Sequence, residues 1–248
     1  MASTYETGCV QNVANFETLI SYITAFGADY NPSKTSLKIP ELQKILSDAK
    51  VSLNAVNVAF SAHSNAIAAR ESAFEPLSKL VTRVNNALKA TDTTTQVDDS
   101  AKTIVRKIQG TRASAKLTEE QKQALAAEGK EVNQVSASQM GFNDRIENFD
   151  KLITLLSSIP NYAPNEEELK IESLTAYLND LKSKNAAVLP LEVQLSNARI
   201  LRNDIQDRPL TGLIDVALDS KVYIKSVFGA SSPQYKQISK LAFVKRKK

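Results

Sequence analysis

The stretch LQKILSDAKVSLNAVNVAFSAHSNAI, residues 42–67, decides the fold class. Leu42, Leu46, Ala49, Leu53, Val56, Phe60, His63 and Ile67 follow one another by alternating steps of four and three. A mean period near 3.5 keeps one apolar stripe on one side of an α-helix and packs it against a neighbour at about +20°. The pattern predicts a helix over 37–72, roughly 50 Å long at 1.5 Å per residue. The seam suits an intramolecular bundle and a dimer equally.

The same pattern returns further along the chain. Leu174, Leu178, Leu181, Val188 and Leu195 repeat it, with Asn185 and Glu192 interrupting the seam and Pro190 removing one backbone donor. Other segments recur in the same order. Asn15–Ile20 matches Asn148–Ile153, Tyr30-Asn31-Pro32 matches Tyr162-Ala163-Pro164, and Leu37-Lys38-Ile39 matches Leu169-Lys170-Ile171. Ser64-Asn65-Ala66 matches Ser196-Asn197-Ala198, Arg70 matches Arg202, and Pro76-Leu77 matches Pro209-Leu210. A near-constant offset in one order reads as a tandem duplication. The expected division is a first helical repeat unit over 1–109, a polar linker over 110–116 and a second unit over 117–248.

Each unit is expected to hold two long helices, one medium and one short. The opening helix carries Cys9, Val13, Phe16, Ile20 and Ile23 in the first copy. In the second it carries Val132, Val135, Phe142, Ile146, Phe149, Ile153 and Leu156. Both are single buried stripes. Asn165-Glu166-Glu167-Glu168 reads as a helix start with a capping box, and Ser33 is its counterpart. Pro76 and Pro209 suit first helical turns. Leu77, Leu80, Val81, Val84 and Leu88 mark the third helix, as do Leu210, Leu213, Ile214, Ala217, Ile224 and Phe228. Short helices near 98–108 and 232–243 close the copies, the second opened by Ser232-Pro233. No strand-like alternation occurs, so the fold class is all-α, two tandem helical-bundle units with long helices.

Composition agrees. The 248 residues are 42% apolar and 23% charged, with only 7 Gly and 8 Pro, so turns are few. Lys plus Arg number 31 against 27 Asp plus Glu. Six basic residues and no acid fall in 233–248, which leaves a small negative balance on the rest. The basic character therefore belongs to the tail, and a cationic groove along the body is not expected. No run approaches the roughly 20 apolar residues of a membrane span. Met1–Val10 lacks a secretory pattern, so a reducing cytoplasm is the expected compartment.

Chemistry is sparse. One Cys excludes an internal disulfide and a Cys-based zinc cluster. His63 lies on the apolar stripe and reads as a packed histidine rather than a base. Cys9 reads as a buried thiol. The glycines are scattered, so no phosphate-cradling loop forms, and one His cannot complete a di-metal carboxylate bundle. No cofactor and no metal is expected, and the chain reads as no enzyme. The polar residues shared by both copies, Asn65 and Arg70, Asn197 and Arg202, either form an interaction patch or satisfy helix ends. Lys245, Arg246, Lys247 and Lys248 form a cationic cluster, either a solvated terminus or a phosphate contact.

Lys225-Ser226-Val227-Phe228-Gly229-Ala230-Ser231-Ser232-Pro233-Gln234-Tyr235-Lys236, with Arg145-Ile146-Glu147-Asn148-Phe149 upstream, resembles internally duplicated all-helical proteins from bacteria of the Bacteroidetes type. The resemblance implies bacterial origin and an all-helical fold, and it transfers no activity or site. The functional expectation is a non-enzymatic helical interaction or scaffold protein that binds a protein partner or a second copy of itself. The alternative is nucleic-acid association through the basic tail.

Overall fold

The computed structural model describes residues 4–111 and 140–245, together with Thr118, Glu120, Gln123 and Ala127. Every regular element among them is helical, as the sequence pattern requires. The α-helices are α1 (Thr4–Ala25), α2 (Ile39–Phe74), α3 (Leu77–Lys89), α4 (Thr95–Gln109), α5 (Phe142–Ser157), α6 (Ile171–Asp207), α7 (Leu213–Phe228) and α8 (Pro233–Ser239). Short 3-10 turns lie at Gly27–Asp29, Thr35–Leu37 and Glu167–Leu169. Val132, Val135 and the linker residues 112–116 fall outside the described residues.

The contacts gather these helices into two units. Unit 2 is the continuous segment Asn65–Pro190, and unit 1 joins Met1–Ser64 to Leu191–Lys248. Each long helix is thus divided, α2 after Ser64 and α6 after Pro190. The expected boundary at 110–116 coincides with neither unit. Residues 74–108 share a core with residues 149–181. The physical reason lies in helix length. A helix of 36 residues is longer than one core can cover, so its two parts bury against different neighbours.

Unit 1 is built on α1. Val13, Phe16, Leu19, Ile20 and Ile23 are buried against Leu213, Ile214, Val216, Ala217 and Ile224 of α7 and Leu42 and Ala49 of α2. Phe26 meets Phe228 with ring centroids 5.3 Å apart. Unit 2 sets Phe149, Leu152, Ile153 and Leu156 of α5 against Ala101, Val105 and Ile108 of α4 and Leu77, Val81, Val84 and Leu88 of α3. Leu174, Leu178 and Leu181 of α6 complete that core. The α2 seam behaves differently along its length. Leu42, Ala49 and Val56 are buried, whereas Phe60 is 53% exposed.

Both long helices start later than their capping residues suggest. The Tyr30 hydroxyl donates to the Leu37 carbonyl at 2.8 Å, and the Tyr162 hydroxyl to the Leu169 carbonyl at 2.9 Å. Each bond closes a loop that ends in a 3-10 turn and an extended residue, Lys38 or Lys170. That extended residue cannot be helical, so α6 opens at Ile171 and the expected capping box at Asn165 forms no cap.

The start of α7 is also displaced. Pro76 directly precedes α3, but α7 begins at Leu213, after a tight turn. In that turn Leu210 adopts φ 67° and is exposed. A Cβ on Gly212 would stand 2.6 Å from the Arg208 carbonyl oxygen, so only glycine fits this close approach. The remaining ends follow their signals. Gly110 and Gly229 close α4 and α7 with positive φ, and the Ser232 side chain accepts from the Tyr235 N–H.

The core membership predicts how fragments behave. An isolated 65–190 segment carries a full core and is expected to show helical circular dichroism and one cooperative thermal transition. A 1–109 segment carries half of each core and is expected to stay largely unfolded. The reverse result for the two fragments defeats this division.

Candidate functional site

Unit 2 contains an open cleft of about 540 Å³ between the C-terminal half of α3 and the loop that leads into α6, with Asn86, Ala90, Asn165 and Glu166 of its lining exposed. Its apolar lining comes from Ala87, Ala90, Pro164, Leu169 and the Tyr162 ring, and its polar lining from Arg83, Asn86, Thr91, Asn165 and Glu166. Arg83 is tied to Glu168 of the 3-10 turn by an ion pair that is exposed on both sides, so it orients more than it stabilises. Burial and the nearby Glu166 carboxylate push the Tyr162 hydroxyl up to about 12. It stays protonated near neutral pH and already donates to a backbone carbonyl, so it is no general base there.

A second cluster in unit 2 surrounds Arg70. Its guanidinium lies over the Phe142 ring at 4.0 Å, and its Nη1 donates to Asn185 Oδ1 at 3.4 Å. Phe142 packs edge-on against Phe74 at 4.9 Å, and Arg145 lies over the Phe74 ring at 5.3 Å while donating to the Phe74 carbonyl. Burial lowers the pKa of Arg145. Two cations thus rest on a pair of aromatic faces, each contact worth about 0.5–2 kcal/mol. Asn185, which interrupts the α6 seam, donates to Asn143 at 2.6 Å. Tyr177 donates to the Ala73 carbonyl at 2.6 Å, and burial raises its pKa to about 12.

The residues singled out from sequence are not brought into one patch. Asn65 and Arg70 belong to unit 2, Asn197 and Arg202 to unit 1. Asn65 and Asn197 are exposed. Arg202 is 3% exposed and bonds through Nε and Nη2 to Asn203 Oδ1, an environment unlike that of Arg70. His63 is half-buried on the α2 stripe, and Cys9 is buried.

The basic tail is anchored as far as Lys245. Asn12, itself buried, donates to the Val244 carbonyl at 2.9 Å and accepts from the Val244 N–H at 2.8 Å. Asn12 also donates to Gln206, whose Nε2 reaches the Cys9 carbonyl. Asn15 and Lys221 take up the carbonyls of Ala242, Ser239 and Leu241. Lys245 pairs with Asp215 at 2.9 Å, and that pairing with the Leu210 N–H holds the Asp215 carboxyl below its ordinary pKa. Arg246, Lys247 and Lys248 lie outside the described residues.

Among the described residues no group of three or more His, Cys, Asp or Glu is placed to hold a metal ion. No helix among them is long and apolar enough to cross a membrane. Comparison with family models, curated proteins and solved structures returns no match. The cleft escaped sequence reading because alanines carry no chemical signal.

Two outcomes are expected. Tyr162 and Tyr177 have raised native pKa values, so the stability they contribute is complete below pH 10 and is lost as pH rises through about 12. Absorbance near 295 nm should show them ionising after the exposed tyrosines, together with loss of helix. Asn12→Ala removes both Val244 bonds and strands Gln206, at a cost of about 2 kcal/mol. Limited proteolysis should then cut within 241–245 while the wild-type chain resists.

Proposed function

We propose that this chain is a non-catalytic helical protein that binds a protein partner through unit 1. The observation that carries the reading is where large apolar side chains remain in solvent. In unit 1, α2 exposes Val51 and Val58, α6 exposes Val193 and Ile200, and α7 exposes Leu218 and Val222. Each pair is spaced seven or four residues apart, so each lies on one helix face. In unit 2 the exposed large apolar residues among those described are Met140 and Leu189. This concentration of exposed large apolar side chains in unit 1 supports the reading, since apolar surface left in solvent becomes an interaction site where it is contiguous.

Charge supports a second reading. Unit 1 holds fifteen basic and ten acidic residues, unit 2 sixteen and seventeen. Association with nucleic acid through the tail would draw on that excess. Lys245 is already committed to Asp215, which reduces what the tail offers. Binding by this route falls steeply with salt and disappears on deletion of 244–248.

The two readings separate in one experiment. Val58→Lys, Ile200→Lys and Val222→Lys are combined, all at exposed sites where stability is expected to change by less than about 1 kcal/mol. The wild-type chain should retain a stoichiometric protein partner at moderate salt in the cells that make it, or sediment as a dimer. The triple variant should lose that association with its thermal transition unchanged. Retained association in the variant, or loss only on tail deletion, defeats the apolar-face reading.

A further inference from the structure

Unit 1 shows what fills the place that is empty in unit 2. Tyr30 and Tyr162 close their loops with the same hydroxyl-to-carbonyl bond, seven residues along the chain. Each loop packs on a helix, α7 for Tyr30 and α3 for Tyr162, and those helices bury residues at one spacing. The buried residues of α7 are Leu213, Ile214, Val216, Ala217, Ser220 and Ile224 and those of α3 Leu77, Val81, Val84, Asn85 and Leu88, and four of each, Leu213, Ala217, Ser220 and Ile224 against Leu77, Val81, Val84 and Leu88, share one spacing. The shared steps of four, three and four set the register. Asp219, just before Ser220, pairs with Lys34 of its loop, and Arg83, just before Val84, pairs with Glu168 of its own. Tyr223, just before Ile224, sets its ring edge-on to Tyr30 at 5.2 Å and 89°. The residue just before Leu88 is Ala87, which lines the cleft beside Tyr162.

We propose that this cleft is a binding site for a phenol-type aromatic ring, which takes beside Tyr162 the place that Tyr223 takes beside Tyr30. The ring enters against Ala87 and Ala90, edge to face with Tyr162, an arrangement that adds to the gain from burial. Asn86, Asn165 and Glu166 line the polar part of the cleft, and among the described residues their side chains make no hydrogen bonds to other protein groups. They are available to a hydroxyl or to the amides flanking a tyrosyl side chain. The site stands independently of the exposed faces of unit 1. Its occupant is either a free phenol or a tyrosyl side chain of a polypeptide, and both present the same ring.

The test titrates the full chain, labelled at alanine methyl groups, with 4-methylphenol, with N-acetyltyrosinamide and with cyclohexanol as a non-aromatic control of similar size. The Ala87 and Ala90 methyl resonances should move by ring-current shifts that saturate with a Kd on the order of 1 mM, as suits so small a ligand. Cyclohexanol should not reproduce the shifts. Tighter binding of N-acetyltyrosinamide than of 4-methylphenol identifies a polypeptide as the source, and the reverse order a free phenol. Ala87→Tyr supplies the ring from within and should weaken binding by about tenfold or more. If that variant fails to fold, Ala90→Leu narrows the same space and should act in the same direction. Shifts that do not saturate, that cyclohexanol matches, or that survive both substitutions overturn the proposal.

Discussion

The Tyr30 and Tyr162 hydroxyls each hold a carbonyl seven residues ahead, and much of the rest depends on those two bonds. Each bond fixes a loop that turns the chain from the first helix of a set into a long helix at a defined residue. A helix that starts at a defined residue presents a defined face. Leu42 and Ala49, or Leu174 and Leu181, then reach full burial, and the later part of each long helix belongs to the other unit. Were the loops free to close one residue earlier, each following helix would rotate by about 100° and its stripe would leave the core. A buried hydroxyl bonded to a buried carbonyl contributes only about 1 kcal/mol in net stability. Its larger effect is on which register is populated.

Periodicity made the helices readable. The α1 stripe from Cys9 to Ile23 is buried as its spacing requires, the α5 stripe is buried at Phe149, Ile153 and Leu156 but only half-buried at Phe142 and Ile146, and Ser232 caps α8. Three features were beyond that kind of reading. The exposure of Phe60 arises because a long seam outlasts its core, and spacing alone does not say where the neighbour stops. The start of α6 at Ile171 is set by the loop-closing Tyr162 bond, which overrides a good cap at Asn165. The sharing of each core between early and late parts of the chain depends on which segments meet, and similarity between segments carries no such information.

The candidate cleft illustrates the same limit. Its wall is defined by what is small, and two alanines in a helix read as ordinary helix formers. Arg70 was legible as a residue to notice, but its aromatic support from Phe142 comes from a segment more than seventy positions away. Lys245 was legible as a charge, and its pairing with Asp215 was not, because the tail is held by Asn12 near the opposite end of the chain.

The hydrogen bonds from Asn12 to Val244 span 232 positions, and those from Asn12 to Gln206 span 194. Unit 2 lies between those ends as one uninterrupted insertion. Synthesis runs from the N-terminus at about 5–20 residues per second, so the two units mature in an order opposite to that in which their first residues appear. The α1 stripe, with Phe16 and Ile23, leaves the ribosome before α7 and lacks that part of its cover until the whole insertion has been made. For that interval the nascent chain carries an apolar helix that α2 covers only in part, and the rest of its protection falls to whatever shields it in the cell.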